Sequence, residues 1–233
     1  MHQSKLFIRL WLGVLAPCAL APALAAGPTG LLNDTGQNLC DNGAYVMQLC
    51  IDANSGDAST MPRQDGRFGR DQAPLNKVGG GAAGFDFTKV CMDGTLDCTT
   101  AADTSSSPAS TAWACTKDNV TNLIWSLRIQ PDIPWSYASS ADYANVGHND
   151  IGRCGFSTGW RLPTRSELMS ITLLDGRSPV IDSDYFPGVG AQGFWSSDLY
   201  APNPSRVWMV NFIDGRSYSV AGSVDGRLVR SGP

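Results

Sequence analysis

Groups able to do chemistry are few in this chain, and most are of one kind. Of its 21 carboxylates, Glu167 is the single glutamate and the rest are aspartates. A serine triad needs a histidine base, and His148, between Gly147 and Asn149, is the one histidine beyond the N-terminal stretch. No Gly-x-Ser-x-Gly elbow accompanies it, so His148 reads as an exposed loop histidine. Paired carboxylates for glycoside hydrolysis would have to be aspartates, because Glu167 sits where a helix cap needs it. Asp182-Ser183-Asp184 with Asp198, and Asp93 with Asp97 around Gly94, could contribute to the roughly six to eight oxygens that calcium takes. None follows the calcium-loop spacing and no Glu-Pro-Asn sugar-and-calcium triplet occurs, so turns and caps are the expected roles. We expect no catalytic residue, metal or cofactor.

The chain has seven cysteines. Cys18 falls in the N-terminal apolar stretch, leaving Cys40, Cys50, Cys91, Cys98, Cys115 and Cys154. With no Cys-x-x-Cys and one histidine to join them, zinc is disfavoured and disulfides are expected. Sequence permits several connectivities. Neighbours that close short loops pair most easily, which favours Cys40 with Cys50, Cys91 with Cys98, and Cys115 with Cys154.

Aromatic and basic side chains offer recognition chemistry instead. Tryptophan faces stack on sugar rings, although burial is their commoner use. Trp125, Trp160 and Trp195 are expected in the core, while Trp135, beside Pro134 and Tyr137, is the better surface candidate. Arginines crowd the second half, and Arg161 and Arg165 lie about one turn apart at a helix start. Solvated ion pairs with aspartate are their ordinary use. Trp135, Tyr137, Arg161, Arg165, Asp198 and Arg206 form the candidate ligand-binding set.

These groups need a scaffold. Lys5 and Arg9 precede an apolar run ending in Ala23-Leu24-Ala25, the pattern of a secretory signal peptide over residues 1–25. The run is shorter than the about 20 residues that span a bilayer, and Pro17 and Pro22 interrupt it. Losing Lys5 and Arg9 takes the formal charge from −4 to about −6, which disfavours a duplex nucleic-acid partner. Aspartate favours turns and glutamate and lysine favour helices, so a loop-rich chain is expected.

Residues 26–111 read as a Gly- and Asp-rich annex that ends in the Ser/Thr-rich stretch 99–111. A domain over 112–233 follows, with regular aromatics. In the annex only 44–49 resembles a strand, and the glycine run 79–84 is a turn, not a phosphate loop. Residues 120–125 read as a strand and 136–145 as a helix with Tyr137, Ala141 and Ala144 on one face. Thr164 and Glu167 form a capping box for a helix that Asp175-Gly176 should stop. Residues 207–212 and 217–220 make a hairpin around Asp214-Gly215, a type I′ signal. Asp225-Gly226 should turn into a closing strand, 227–230.

In order along the chain, Asp118-Asn119-Val120-Thr121-Asn122-Leu123-Ile124-Trp125, Gly159-Trp160-Arg161-Leu162-Pro163-Thr164 with Glu167-Leu168, Phe194-Trp195-Ser196-Ser197, Val210-Asn211-Phe212 with Asp214-Gly215, and Leu228-Val229-Arg230 together resemble the collagen-like-adhesin C-terminal domain (Lcl C-terminal domain) family. The resemblance spans about 112–230. It implies a C-type-lectin-like α+β fold, with short helices, antiparallel strands and disulfides, in secreted or surface bacterial proteins used for adhesion. In the namesake adhesin it implies a trimer that binds sulfated polysaccharide through a basic surface. This chain lacks Gly-X-Y repeats and is acidic, so the fold carries over better than that ligand. We therefore expect a secreted, periplasmic or cell-surface adhesin-like module that binds a ligand, with a glycan or an envelope protein as partner. A structural or assembly accessory protein of the cell envelope ranks second, and an enzyme third.

Overall fold

β-Branched and aromatic residues are densest between Phe85 and Ile133 and again from Phe194 onward, and the main strands form there. The computed structural model describes residues 33–37, 39–41, 47–49, 76–190 and 192–233. The expected signal peptide lies outside the described residues. β1 (Leu39–Asp41) pairs antiparallel with β2 (Met47–Leu49), so the expected strand at 44–49 is described only in its last three residues. A four-stranded sheet follows from β3 (Phe87–Cys91), β4 (Trp113–Asp118), β5 (Leu123–Ser126) and β11 (Val229–Ser231), in the order β11-β5-β4-β3. A five-stranded sheet contains β6 (Gln130–Pro134), β7 (Gly193–Leu199), β8 (Val207–Asn211), β9 (Ser217–Val220) and β10 (Ser223–Gly226), in the order β6-β10-β7-β8-β9. Strand pairs are antiparallel except β10 with β7.

Among the described residues three short α-helices accompany the sheets: α1 (Trp135–Ala138), α2 (Ala141–Ala144) and α3 (Arg165–Met169). The described chain is thus sheet-rich with little helix. A single helix over 136–145 was expected, but two form. Ser140 has extended backbone, its hydroxyl donates to the Tyr137 carbonyl, and the same oxygen accepts the Tyr143 N–H and caps a new helix. The capping box at Thr164 and Glu167 is present, yet α3 ends at Met169, short of Asp175-Gly176. Hydroxyls of Ser170 and Thr172 donate to the Glu167 and Met169 carbonyls and use up the acceptors another turn would need.

Other departures have the same origin. Residues 120–122 do not join β5, because the Asp118 carboxylate accepts from the Val120 and Thr121 N–H groups and curls them into a turn. The β8–β9 connection runs over residues 212–216, longer than a two-residue turn, and only Gly215 of the Asp214-Gly215 pair has positive φ, so it is not type I′. Asp225-Gly226 lies inside β10. The Asp225 carboxylate accepts from the Asp132 N–H and from the Gln192 amide, tying β10 to its flanks where a turn was expected.

Strands alternate their side chains between two faces, and β7 uses both. Phe194 packs into a cluster with Phe85, Phe87, Trp125, Leu168, Phe186 and Phe212. Its neighbour Trp195 packs into a second cluster with Tyr143, Trp160, Leu162, Val207 and Leu228. Trp125, Trp160 and Trp195 are all buried. β3 precedes residue 112, yet it pairs with β4 along its whole length and delivers Phe87 to the core.

Cys91 bonds Cys98, and Cys115 bonds Cys154. Cys40 is also disulfide-bonded, and its expected partner Cys50 lies outside the described residues. The second bridge closes a separation of 39 residues and the first only 7. Loop entropy then predicts that replacing Cys115 and Cys154 by alanine lowers unfolding free energy by about 4 kcal/mol, against about 2 kcal/mol for Cys91 and Cys98. Urea unfolding of both double variants checks the ranking.

Candidate functional site

A cleft of about 600 Å³ opens where helices α1 and α2 face the entry to α3. Short polar side chains line it, Ser139, Ser140, Asn145, Asn149, Thr164 and Ser197, with Arg161 at the rim and Trp160, Leu162 and Leu228 supplying apolar surface. Both walls are positioned by side chains bonding to backbone. On one side Ser140 sets the start of α2, and an irregular turn over Asn145–Asn149 carries Asn149, whose amide donates to Asn145 Oδ1. Gly147 in that turn has φ of +76°, and a Cβ there would fall 2.3 Å from Arg128 Nη1, so the close approach requires glycine.

The opposite wall begins at the Trp160-Arg161-Leu162 stretch. Arg161 pairs backbone to backbone with Val229, which burial of Trp160 and Leu162 on its two sides supports. The Arg161 guanidinium meets Glu167 in a two-pronged pair, Nη1 to Oε2 at 2.8 Å and Nη2 to Oε1 at 2.7 Å. Glu167 Oε2 also accepts the Thr164 N–H, and Thr164 Oγ1 accepts the Glu167 N–H. Burial alone would raise the Glu167 pKa, but the bonds from Arg161 and Thr164 outweigh it and hold the carboxyl below its ordinary value.

Next to the cleft lies a second surface. The Arg165 guanidinium sits 4.6 Å from the Trp208 ring centroid, and Tyr200 packs edge-on to Trp208 at 5.1 Å. Asp198 Oδ2 accepts the Arg165 backbone N–H, which anchors the start of α3 to β7. Arg206 donates to the hydroxyl and carbonyl of Ser219. Trp135 is half-buried against the second cluster, and its indole N–H donates to the Ser196 carbonyl. Tyr137, also half-buried, packs against Tyr143 with centroids 5.6 Å apart. Of the expected set, only Arg161 lines the cleft itself. Arg165, Asp198 and Trp135 surround its β7 side, while Tyr137 and Arg206 are occupied by their own packing and hydrogen bonds.

His148 is not an exposed loop residue. It is fully buried, and its Nε2 lies 3.0 Å from Ser126 Oγ. Sequence reasoning missed this Ser–His pair because 22 residues separate the two and no local motif joins them. Ser126 is itself fully buried, so no substrate reaches its hydroxyl. Burial, and then the positive charges of Arg153 and Arg128, push the imidazole pKa down to about 3, far too low for a general base. Among the described residues no group of three or more His, Cys, Asp or Glu could hold a metal ion, and no helix is long and apolar enough to cross a membrane. Asp182, buried, accepts the Ala82 and Asp184 N–H groups.

The motif strings lie on β5, at the α3 entry, on β7 and on the β8–β9 and β11 segments, in one packed unit. The family model of the Lcl C-terminal domain matches residues 114–230, half of the chain, and the chain belongs to that family. A search of the curated proteins finds no match. The matched segment starts within β4, so β3 is an additional strand on its sheet.

Thr164→Ala lowers stability by about 1 kcal/mol through the lost cap. Because the folded Glu167 pKa is depressed, its stabilisation is present above the ordinary carboxyl pKa and is lost as pH falls through the folded value. The stability gap between the wild type and Glu167→Gln is therefore full at neutral pH and closes in acid, which urea titrations at several pH values read. The His148 ring, depressed likewise, stays neutral from pH 8 to 5. Proton NMR should show no imidazole titration there, and a midpoint near 6.5 would contradict the burial described.

Proposed function

We propose that this protein is an adhesin-like, ligand-binding module of the bacterial cell exterior, secreted, periplasmic or surface-bound, and that its cleft takes a carbohydrate. The C-terminal half is proposed to have a C-type-lectin-like fold, in keeping with its family. One observation carries the reading: a cleft of about 600 Å³ that combines many short hydroxyl and amide side chains with apolar lining from Trp160, Leu162 and Leu228. Sugars need both, a dense set of donors and acceptors for their hydroxyls and an apolar patch for their C–H face. The proposal assigns no turnover. The Ser126–His148 pair is sealed from solvent, and its histidine is held as a weak base by two arginines.

Arg161 shapes the rim through Glu167 and is mostly committed to it. Ser197, exposed on β7, is freer to meet a ligand, and Asn149 lines the cleft with its amide on Asn145. The test is a glycan array on the refolded, oxidised chain, repeated with Ser197→Trp, which fills the cleft, and with Asn149→Ala. The proposal expects a discrete glycan signal that falls at least tenfold in both variants. Undiminished signal in the filled variant would move the site elsewhere. An array without signal, alongside a protein partner in pull-downs from envelope extracts, would favour an assembly accessory instead.

A further inference from the structure

Among the described residues three arginines are buried, and they differ in how their charge is met. Arg153 donates to the carbonyls of Gly147 and Ser105, and Arg128 donates to the Val146 carbonyl and to Gln130 Oε1. Arg227 is 1% exposed, and none of its three guanidinium nitrogens has a hydrogen-bond partner. Its Cζ lies 5.5 Å from the ring centroids of both Phe186 and Phe194. The adjacent carboxylate, Asp225, is engaged by the Asp132 N–H and the Gln192 amide. Burial draws the Arg227 pKa down to about 10, which leaves the group charged at neutral pH.

Two further buried donors belong to elements near Arg227, Trp125 on β5 and Tyr143 in α2. The Tyr143 hydroxyl and the Trp125 indole N–H are buried and without partners. Trp125 stands against the Phe186 that flanks Arg227, with centroids 6.5 Å apart. Tyr143 meets the residue before Arg227 so closely that a Cβ on Gly226 would lie 2.7 Å from its Oη. Phenyl rings partly offset the desolvation of a cation, but they do not supply acceptors for its N–H groups. A positive charge among N–H and O–H donors calls for a small negative acceptor.

We propose that Arg227, with Tyr143 and Trp125 beside it, forms an internal binding site for a small monovalent inorganic anion, chloride under the conditions outside a cell. The site lies directly behind the cleft. Tyr143 precedes Ala144 and Arg227 precedes Leu228, and both of those neighbours line the cleft wall. The bound anion joins α2 to the connection between β10 and β11 and so holds the cleft wall from within.

The test uses the full oxidised chain, melted in sodium chloride or sodium gluconate at equal ionic strength. Chloride above its dissociation constant should raise Tm by roughly 3–6 °C per tenfold concentration, and Arg227→Met should abolish that dependence. Equal melting in both salts would overturn the proposal. Should the variant fail to fold, crystals of the wild-type chain grown in sodium bromide decide the matter. An anomalous peak in contact with the guanidinium supports the site, and ordered water or a carbonyl in that position refutes it.

Discussion

Every buried backbone N–H and C=O must find a partner, and a chain with so little regular structure cannot meet that demand from ladders alone. Here short polar side chains meet it. Asp86 accepts from the Val78 and Gly79 N–H groups, Asp118 from Val120 and Thr121, Asp182 from Ala82 and Asp184, and Asp198 from Arg165. Ser140 and Thr164 do the same for the two helix starts that form the cleft. This constraint explains a composition with aspartate almost to the exclusion of glutamate. Carboxylate oxygens of Asp86, Asp118, Asp182 and Asp198 are thus engaged by backbone N–H groups.

The legible part of the fold was the part governed by neighbours in sequence. The Thr164–Glu167 box, the β8–β9 hairpin, the short-loop disulfide Cys91–Cys98 and the turn character of the glycine run all depend on residues a few positions apart. So did the burial of Trp125, Trp160 and Trp195, which apolar bulk alone predicts. What escaped depended on distant partners. Asp225-Gly226 has turn chemistry, but Asp132 and Gln192 bid for its carboxylate and keep it in a strand. His148 looked like a loop residue until Ser126, Trp160 and two arginines closed around it. The division of 136–145 was readable in principle, since Ser139-Ser140 is a cap signal inside the helical pattern.

The same distinction governs the site. Trp135 and Arg206 have the chemistry of a recognition surface, but each is held by a carbonyl on a neighbouring strand. Packing brings together in the cleft residues that no motif singles out, Ser139, Asn145 and Asn149, and residues of the family strings, Trp160, Thr164, Ser197 and Leu228. Membership of the Lcl C-terminal domain family supports the proposed adhesin-like reading. The cleft between α2 and α3 then gives the proposed recognition a location.

The most direct test follows the amide and indole resonances of the isotope-labelled chain while a glycan that it retains is titrated in. Recognition in the cleft predicts shifts concentrated at Asn145, Asn149, the Trp160 indole and Ser197, with the buried His148 ring unmoved. Shifts confined to β9 or to the Arg206 side, with the cleft residues silent, would contradict the account.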